Sequence, residues 1–149
     1  MKEEKRIKAG IGVMIFKDGK VLLHKRKAAH GDGEYETPGG HLEFGESIIA
    51  CAKRETREEA GIELKNVRFL YFANLTDYPG KHYAHIEVVA DWKSGTPKRI
   101  ELDAGSDWAW YSLDKLPKPT FRSIKWSLEA LKTGRNFFDS QNKKGGVCA

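Results

Sequence analysis

Three glutamates at helical spacing are the residues of this sequence whose arrangement could support chemistry. Glu55, Glu58 and Glu59 stand at i, i+3 and i+4, so on a helix their carboxylates share one face. Repulsion between such like charges costs a helix roughly a few tenths of a kcal/mol per pair, so the cluster needs a compensating partner. An all-oxygen ligand set favours a hard divalent cation such as Mg²⁺ or Mn²⁺. The alternative interpretation is a solvated acidic face, balanced by the basic residues between positions 53 and 57.

Residues on both sides of these glutamates extend the pattern and favour the first interpretation. The stretch resembles the Nudix box, G-x5-E-x7-R-E-U-x-E-E-x-G-U, in which U is a bulky apolar residue. At background residue frequencies such a match arises by chance on the order of 10⁻⁹ per window. Thr56 stands where the first U is usually aliphatic, and we expect it to pack beneath the helix. The matching positions are Gly40, Glu46, Arg54, Glu55, Glu58, Glu59, Gly61 and Ile62.

The resemblance continues beyond the box and covers residues 8 to 138. Segments 22–27, 38–46, 107–110 and 116–119 look like those of small cytosolic MutT-like nucleotide hydrolases. Membership of this branch implies an α/β fold, an α/β/α sandwich with a mixed β-sheet between helices. It also implies that residues 1–139 form one domain, and we expect 140–149 to be a disordered tail.

The family resemblance assigns metal-binding roles to the acidic cluster. Glu55 and Glu59 are expected to be direct metal ligands, and Glu58 a ligand or the group that orients the attacking water. By the same resemblance, the backbone carbonyl of Gly39 joins the metal shell, since glycine allows the backbone to approach closely. The implied cofactor is Mg²⁺, with Mn²⁺ as a substitute.

Arg54 is expected to support this cluster, by pairing with Glu46 or Glu58, and not to touch the substrate. The implied reaction is attack of water on a phosphorus of a diphosphate linkage, for which metals neutralise phosphate charge and activate the water. No covalent intermediate is needed. Neither cysteine is expected to act as a nucleophile, because Cys51 falls inside the helix and Cys148 in the tail.

Three further residues are candidates for binding the substrate. Arg26 follows a predicted strand and could present its guanidinium to a phosphate, although a solvated strand end is the alternative. Phe121 resembles a base-stacking residue, since an aromatic ring stacks on any nucleobase, but it could equally belong to the core. His41, inside the box, either lines the pocket or has a structural role.

The sequence departs from some MutT-like relatives at Ala109. Those relatives carry an acid there that serves as a further metal ligand or general base. Glu101, Asp103 or Asp107 could take that role in this chain, and the sequence does not choose among them.

The elements that must hold these residues follow from the hydrophobic pattern. Asp18-Gly19 predicts a tight hairpin turn, the turn at 78–80 separates two strands, and Gly61 is expected to end the first helix. The inner face of that helix is predicted from Ile49, Ala52, Thr56 and Ala60, and that of the second helix from Ile124, Leu128 and Leu131. The predicted strands are 7–16, 21–26, 66–76, 82–92 and 108–111, and the predicted helices are 46–60 and 121–132.

Composition narrows the class of protein. The chain has 149 residues, of which 40% are hydrophobic and 11% aromatic, as expected for one globular domain and not for a disordered chain. No apolar run approaches the roughly 20 residues that span a bilayer, and two cysteines make no disulfide framework. We therefore expect a cytoplasmic protein without a membrane partner.

The formal charge of +5 attracts polyanions in general but does not identify one. The basic residues form no stripe interleaved with aromatics, so no stable nucleic-acid partner is expected. A homodimer is an open expectation, from the resemblance and from how common symmetric dimers are.

The leading functional hypothesis is a pyrophosphohydrolase that cleaves a nucleoside or deoxynucleoside triphosphate to the monophosphate and pyrophosphate. An oxidised nucleotide such as 8-oxo-dGTP is one candidate. ADP-ribose, a dinucleoside polyphosphate or a prenyl diphosphate are alternative substrates of the same enzyme class. A non-catalytic Nudix module that binds nucleotide or RNA is the alternative from another class, although such relatives usually lose a box glutamate that this chain keeps.

Overall fold

The structure is a computed structural model that describes residues 4–27, 32–100 and 105–140. Within these ranges the chain forms eight strands and two α-helices, with a single 3₁₀ turn over Leu113–Lys115. The strands are β1 (Ile7–Lys17), β2 (Lys20–Lys25), β3 (Tyr35–Glu36), β4 (Gly39–His41), β5 (Glu63–Leu75), β6 (His82–Ser94), β7 (Ala109–Ser112) and β8 (Phe137–Asp139). The helices are α1 (Ile48–Ala60) and α2 (Arg122–Thr133).

One mixed sheet organises the molecule, with β1 and β6 at its centre. These two strands run parallel and pair continuously from Ile7 opposite His82 to Phe16 opposite Asp91. The other edge of β1 pairs with β4 near its start and with β2 near its end, both antiparallel. The strand order is β3-β2-β1-β6-β5-β8, with β7 attached to β2. The predicted mixed sheet is thus confirmed.

The two helices pack on opposite faces of this sheet, because side chains alternate along each strand. In β1, Ile11, Val13 and Ile15 pack into a cluster with Cys51 and Ala52 of α1. Met14, between them, packs with Ile124 of α2 in another cluster. The predicted α/β/α sandwich is therefore confirmed.

Helix α1 ends where the sequence predicts and begins two residues later than predicted, at Ile48. Ser47 caps α1, its hydroxyl accepting a hydrogen bond from the Ala50 N–H, and Gly61 ends it in the left-handed conformation with φ 72°. The predicted inner face is correct for Thr56, which is fully buried, but wrong for Ile49, which is exposed. Cys51 is buried instead.

The second helix differs from its prediction in the same way. Ile124, Trp126 and Ala130 are buried, whereas Leu131 is exposed. Beyond α2, β8 adds a short parallel strand to β5 that the sequence did not predict. No helix among the described residues is long and apolar enough to cross a membrane. Ser140, which the sequence assigned to the tail, is buried, and residues 141–149 lie outside the described ranges.

Candidate active site

Arg54 is the centre of the charged cluster on α1. Its Nε and Nη2 donate to the two carboxylate oxygens of Glu46, at 2.6 and 3.0 Å. Its Nη1 donates to Glu55 at 2.8 Å and to Glu58 at 3.2 Å, and Nη2 also donates to the carbonyl oxygen of His41 at 3.1 Å. The predicted pairing of Arg54 with box carboxylates is confirmed, and one guanidinium ties α1 to the loop before it.

These contacts shift the ionisation of the cluster. The bidentate bond from Arg54 lowers the pKa of Glu46 to about 2, and the same bond raises the pKa of Arg54. Glu55 moves the other way, since burial raises its pKa despite the bond from Arg54. Glu46 therefore stays charged to a lower pH than an ordinary glutamate and holds Arg54 by that charge, whereas Glu55 is a desolvated carboxylate that a further positive charge would stabilise.

Gly39 and Gly40 of β4 lie against the acidic face of α1. A Cβ built on Gly40 would overlap the carboxyl group of Glu55, so only glycine leaves room for that side chain. The N–H of Gly39 lies 3.4 Å from a carboxylate oxygen of Glu59. The sheet thus brings Glu55 and Glu59 against the backbone of one short strand.

The donor set of this cluster fits a hard divalent cation in kind. Glu55, Glu58, Glu59 and the Gly39 carbonyl offer only oxygen, and burial leaves Glu55 in need of a positive charge. Arg54 meets part of that need in the structure. Within the described ranges, no three acidic, histidine or cysteine side chains already stand close enough to enclose a metal ion.

The C-terminal end of α1 is held by an aromatic pair. The indole N–H of Trp108 donates to the backbone carbonyl of Glu59 at 2.9 Å. The Trp108 ring stacks on His24 of β2, with 3.9 Å between centroids. Because the last carbonyls of a helix lack intrahelical partners, this bond fixes the turn that carries Glu59.

A pocket of about 260 Å³ opens on the sheet face opposite α1. The three predicted substrate-binding residues, Arg26, His41 and Phe121, all line it. The Arg26 guanidinium lies 4.3 Å from the Phe121 ring centroid and pairs with Glu36. His41 stacks on Tyr83 with 5.9 Å between centroids. The structure therefore brings these residues together, and Phe121 lies at the pocket just before α2 and outside the core clusters.

Of the three acids predicted as replacements for the one missing at Ala109, the structure describes Asp107. The Asp107 side chain is 84% exposed, and its carboxylate lies 3.9 Å from Arg99. Glu101 and Asp103 lie outside the described residues. Cys51 is fully buried, and burial raises the pKa of its thiol to about 12, as expected for a packed residue that is no nucleophile. Cys148 also lies outside the described ranges.

A buried acid on the pocket floor was missed by the sequence analysis. Glu87 of β6 is 1% exposed, and its Oε2 lies 2.7 Å from Nε2 of His85. Both residues line the pocket, and a Cβ on Gly12 of β1 would overlap the Glu87 carboxylate. The available signal was the spacing, since two polar residues at i and i+2 of an apolar strand face the same side.

Comparison with known proteins supports one family. A family model described as NUDIX domain matches residues 6–131. The NAD-capped RNA hydrolase NudC of Pseudomonas aeruginosa is 34% identical over 122 residues, which cover 80% of this chain and 41% of that protein. The ADP-ribose pyrophosphatase of Methanocaldococcus jannaschii is 34% identical over 113 residues, 72% of this chain and 63% of that protein.

Solved structures agree with these matches. A MutT NUDIX hydrolase from Burkholderia pseudomallei superposes with a TM-score of 0.78 at 33% identity, over 83% of this chain and 97% of that chain. By contrast, the chain spans less than two thirds of the length of either curated relative. The matches therefore show the family to which this domain belongs. The substrates in the names of those longer proteins describe those proteins and not this chain.

Proposed function

Because the chain belongs to the Nudix hydrolase family, whose members act on phosphoanhydride bonds, we propose that it is a Mg²⁺-dependent pyrophosphohydrolase of nucleoside triphosphates. The observation that carries this proposal is the meeting of two features at the short strand β4. The acidic face of α1 lies against Gly39 and Gly40, and the same two glycines border the pocket lined by Arg26 and Phe121. A substrate lying across β4 can present its phosphates to the acids and its base to the pocket.

Glu55, Glu59 and the Gly39 carbonyl are the groups that would hold the cation, with Glu58 either a further ligand or the group that orients the attacking water. Nudix hydrolases generally use a divalent metal, which neutralises phosphate oxygens and lowers the pKa of bound water. On the chain itself, Arg54 donates hydrogen bonds to both Glu55 and Glu58 and so offsets part of the repulsion between them. Glu46 in turn holds Arg54, so its role is to position.

Glu58 is the acid best placed to orient the attacking water. Half of its side chain is exposed, whereas Glu55 is largely enclosed. An exposed carboxylate can accept a proton from water and exchange it with solvent, as a general base requires. With alanine at position 109, this assignment gives the reaction a base from within the box.

The pocket would hold the nucleoside part of the substrate. The Phe121 ring offers a stacking surface, and Arg26, held by Glu36, places a guanidinium at the same wall. Base–aromatic stacking is worth about 1–3 kcal/mol per base, so Phe121 contributes binding and not chemistry. The guanidinium of Arg26 would contact either a phosphate of the substrate or the face of its base.

Other compounds that contain a diphosphate are alternative substrates for the same site. NAD-capped RNA and ADP-ribose, named for two relatives, also join a diphosphate to an adenosine, so the same site geometry could accept them. A prenyl diphosphate or a dinucleoside polyphosphate would use the acidic face in the same way. The pocket lining favours a substrate with a planar ring, because an aromatic ring and a guanidinium stand at its wall.

A substrate panel at fixed Mg²⁺ tests the proposal. The panel contains canonical nucleoside and deoxynucleoside triphosphates, 8-oxo-dGTP, ADP-ribose, NAD, a dinucleoside polyphosphate and a prenyl diphosphate. We expect a triphosphate to give the highest kcat/KM, with monophosphate and pyrophosphate as products separated by anion exchange. A Glu59→Gln variant is the control for contaminating phosphatase. A higher kcat/KM for any compound other than a triphosphate, or no turnover with any divalent metal, would overturn the proposal.

A further inference from the structure

One carboxylate oxygen on the pocket floor has no hydrogen-bond partner among the described residues. It is Oε1 of Glu87, whose other oxygen, Oε2, lies 2.7 Å from His85. A buried acceptor left without a donor costs roughly 1–3 kcal/mol, and more when it is charged. Such an oxygen at a ligand pocket indicates that the ligand supplies the donor.

The surrounding elements supply no further donor to this oxygen. Gly12 of β1 lies directly opposite Glu87 and has no side chain. Tyr71 of β5 stands on its other side, but its hydroxyl donates to the carbonyl of Ser123 at 3.1 Å. The Thr37 side chain hydrogen-bonds the Glu87 carboxylate without satisfying Oε1, and Glu36, the other nearby acid, is engaged by Arg26 and His24. Glu87 lines the pocket, and among the described residues its Oε1 keeps unused accepting capacity.

Glu87 is not part of the proposed metal cluster. Along β6, Ile86 packs against the core of the α1 face, so Glu87 points to the opposite face of the sheet. A functional role of Glu87 would therefore concern the molecule that enters the pocket. There the aromatic wall at Phe121 suits a flat ring, and a ring that stacks on that wall can turn one edge to the floor.

The shape of a carboxylate selects among base edges. Two oxygens side by side accept two parallel N–H donors best, as they do from the guanidinium of arginine. The pairing edge of guanine offers such a pair, the ring N1–H and the exocyclic amino group. Adenine and cytosine present an amino group beside a bare ring nitrogen, whose lone pair would face the carboxylate. Uracil and thymine flank one N–H with two carbonyl oxygens.

We propose that Glu87, held in place by His85, is a specificity-determining residue that selects a guanine base by accepting its N1–H and amino protons. This inference rests on the proposed function, since it assumes that a nucleotide base occupies the pocket. The two donors of the base would stabilise the charged carboxylate that burial disfavours. A base without them leaves Oε1 of that acid without a donor, which disfavours the wrong nucleotide.

Equilibrium binding of nucleoside monophosphates tests the proposal apart from catalysis. By titration calorimetry without metal, we expect the protein to bind GMP at least about tenfold more tightly than AMP, with IMP between them, because hypoxanthine keeps N1–H and lacks the amino group. Glu87→Gln should weaken GMP binding by about tenfold or more and bring GMP and AMP close to parity. Asp91→Asn, an acid on the same strand that is bonded to Asn66 outside the pocket, should leave the preference intact.

Each other outcome overturns the inference. Equal affinity for GMP, IMP and AMP in the parent protein would do so without any variant, which matters if Glu87→Gln lowers the melting temperature. Unchanged GMP binding in a folded Glu87→Gln variant would do so directly, and absence of monophosphate binding would exclude a base in this pocket. The function fails on a different readout, namely absence of triphosphate turnover in the substrate panel.

Discussion

Two glutamates on opposite faces of the sheet lie against glycines in the same way and have different proposed roles. Glu55 occupies the space that a Cβ on Gly40 would fill, on the side of α1. Glu87 occupies the space that a Cβ on Gly12 would fill, on the pocket side. In both places the residue of the strand is a glycine, and the missing side chain leaves room for a carboxylate against the backbone.

The surroundings of the two acids explain the different uses. Glu55 contacts Arg54, with Glu58 and Glu59 nearby on the same helix face, so its charge belongs to a network open to water and cations. Glu87 is buried at the pocket, with His85 and Thr37 as hydrogen-bond partners. A cluster of carboxylates that can exchange water and cations suits bond cleavage. A fixed, desolvated hydrogen-bond acceptor suits recognition of a ligand. The two proposed roles, bond cleavage and recognition, therefore lie on opposite faces of one sheet.

The largest expected effect removes a charge from the α1 side. Glu59→Gln keeps the size of the side chain and loses one anionic oxygen, so kcat should fall by at least about 10²-fold, as when one transition-state stabiliser is removed. The melting temperature should stay unchanged or rise, since repulsion along α1 is relieved. Glu63→Gln, whose parent residue pairs with Arg57 beyond the helix, is the matched control. Activity within threefold of the parent would refute the role of Glu59 as a ligand.

Adding a methyl group beneath each acid tests the comparison directly. Gly40→Ala should push the Glu55 carboxylate by about 1 Å or more and cost kcat about 10²-fold, the scale of such a misplacement. Gly12→Ala should instead raise KM and lower the melting temperature, because Glu87 is enclosed and has nowhere to move. Steady-state kinetics with one triphosphate measures both. If both variants changed the same parameter, the separation of tasks would be wrong.

A smaller effect is expected at the pocket wall. Phe121→Ala should raise KM roughly tenfold by loss of base stacking, while kcat changes little, since the lost binding is uniform. A prenyl diphosphate, if turned over, should be unaffected. The melting temperature is measured alongside. A core residue would instead lose about 3–5 kcal/mol of folding stability with KM unchanged in the folded fraction.

The smallest effect concerns acid stability on the α1 side. Arg54 lowers the pKa of Glu46 from 4.5 to about 2, so this ion pair stabilises the folded state fully above pH 4.5. Its contribution should fade as pH drops from 4.5 toward 2, where Glu46 takes up a proton. In Glu46→Gln the melting temperature should therefore fall less over that window than in the parent. Parallel melting curves across the window would show that the pair adds nothing.

The α1 side could be predicted from sequence because its geometry is local. Arg54, Glu55, Glu58 and Glu59 lie within one and a half turns, so helical spacing alone fixes their common face. Gly61 supplies its own stop signal. The α/β/α architecture followed from the family resemblance, whereas the burial of Cys51 in place of Ile49 depends on how α1 sits on the sheet, which spacing does not report.

The pocket side depends on pairing between distant segments and was predicted only in part. Arg26 was identified from its place after a predicted strand and Phe121 by resemblance, but nothing local shows that they touch. Glu87 acquires its burial from Gly12, a residue far away along the chain, through the parallel pairing of β1 and β6. β8 escaped prediction because three residues carry too little pattern to reveal a strand.

The pairing of β1 with β6 also constrains how this chain tolerates changes of length. Inserting or deleting one residue in β6 before Glu87 would turn Glu87 toward α1 and place an apolar neighbour on the pocket floor. The long partner strand β5 already absorbs irregularities, with breaks in its pairing to β6 between Lys65 and Arg68 and between Phe69 and Tyr71. Indels should therefore be accommodated in β5 or in the 76–81 turn, whereas β1 and the first half of β6 should keep a fixed length.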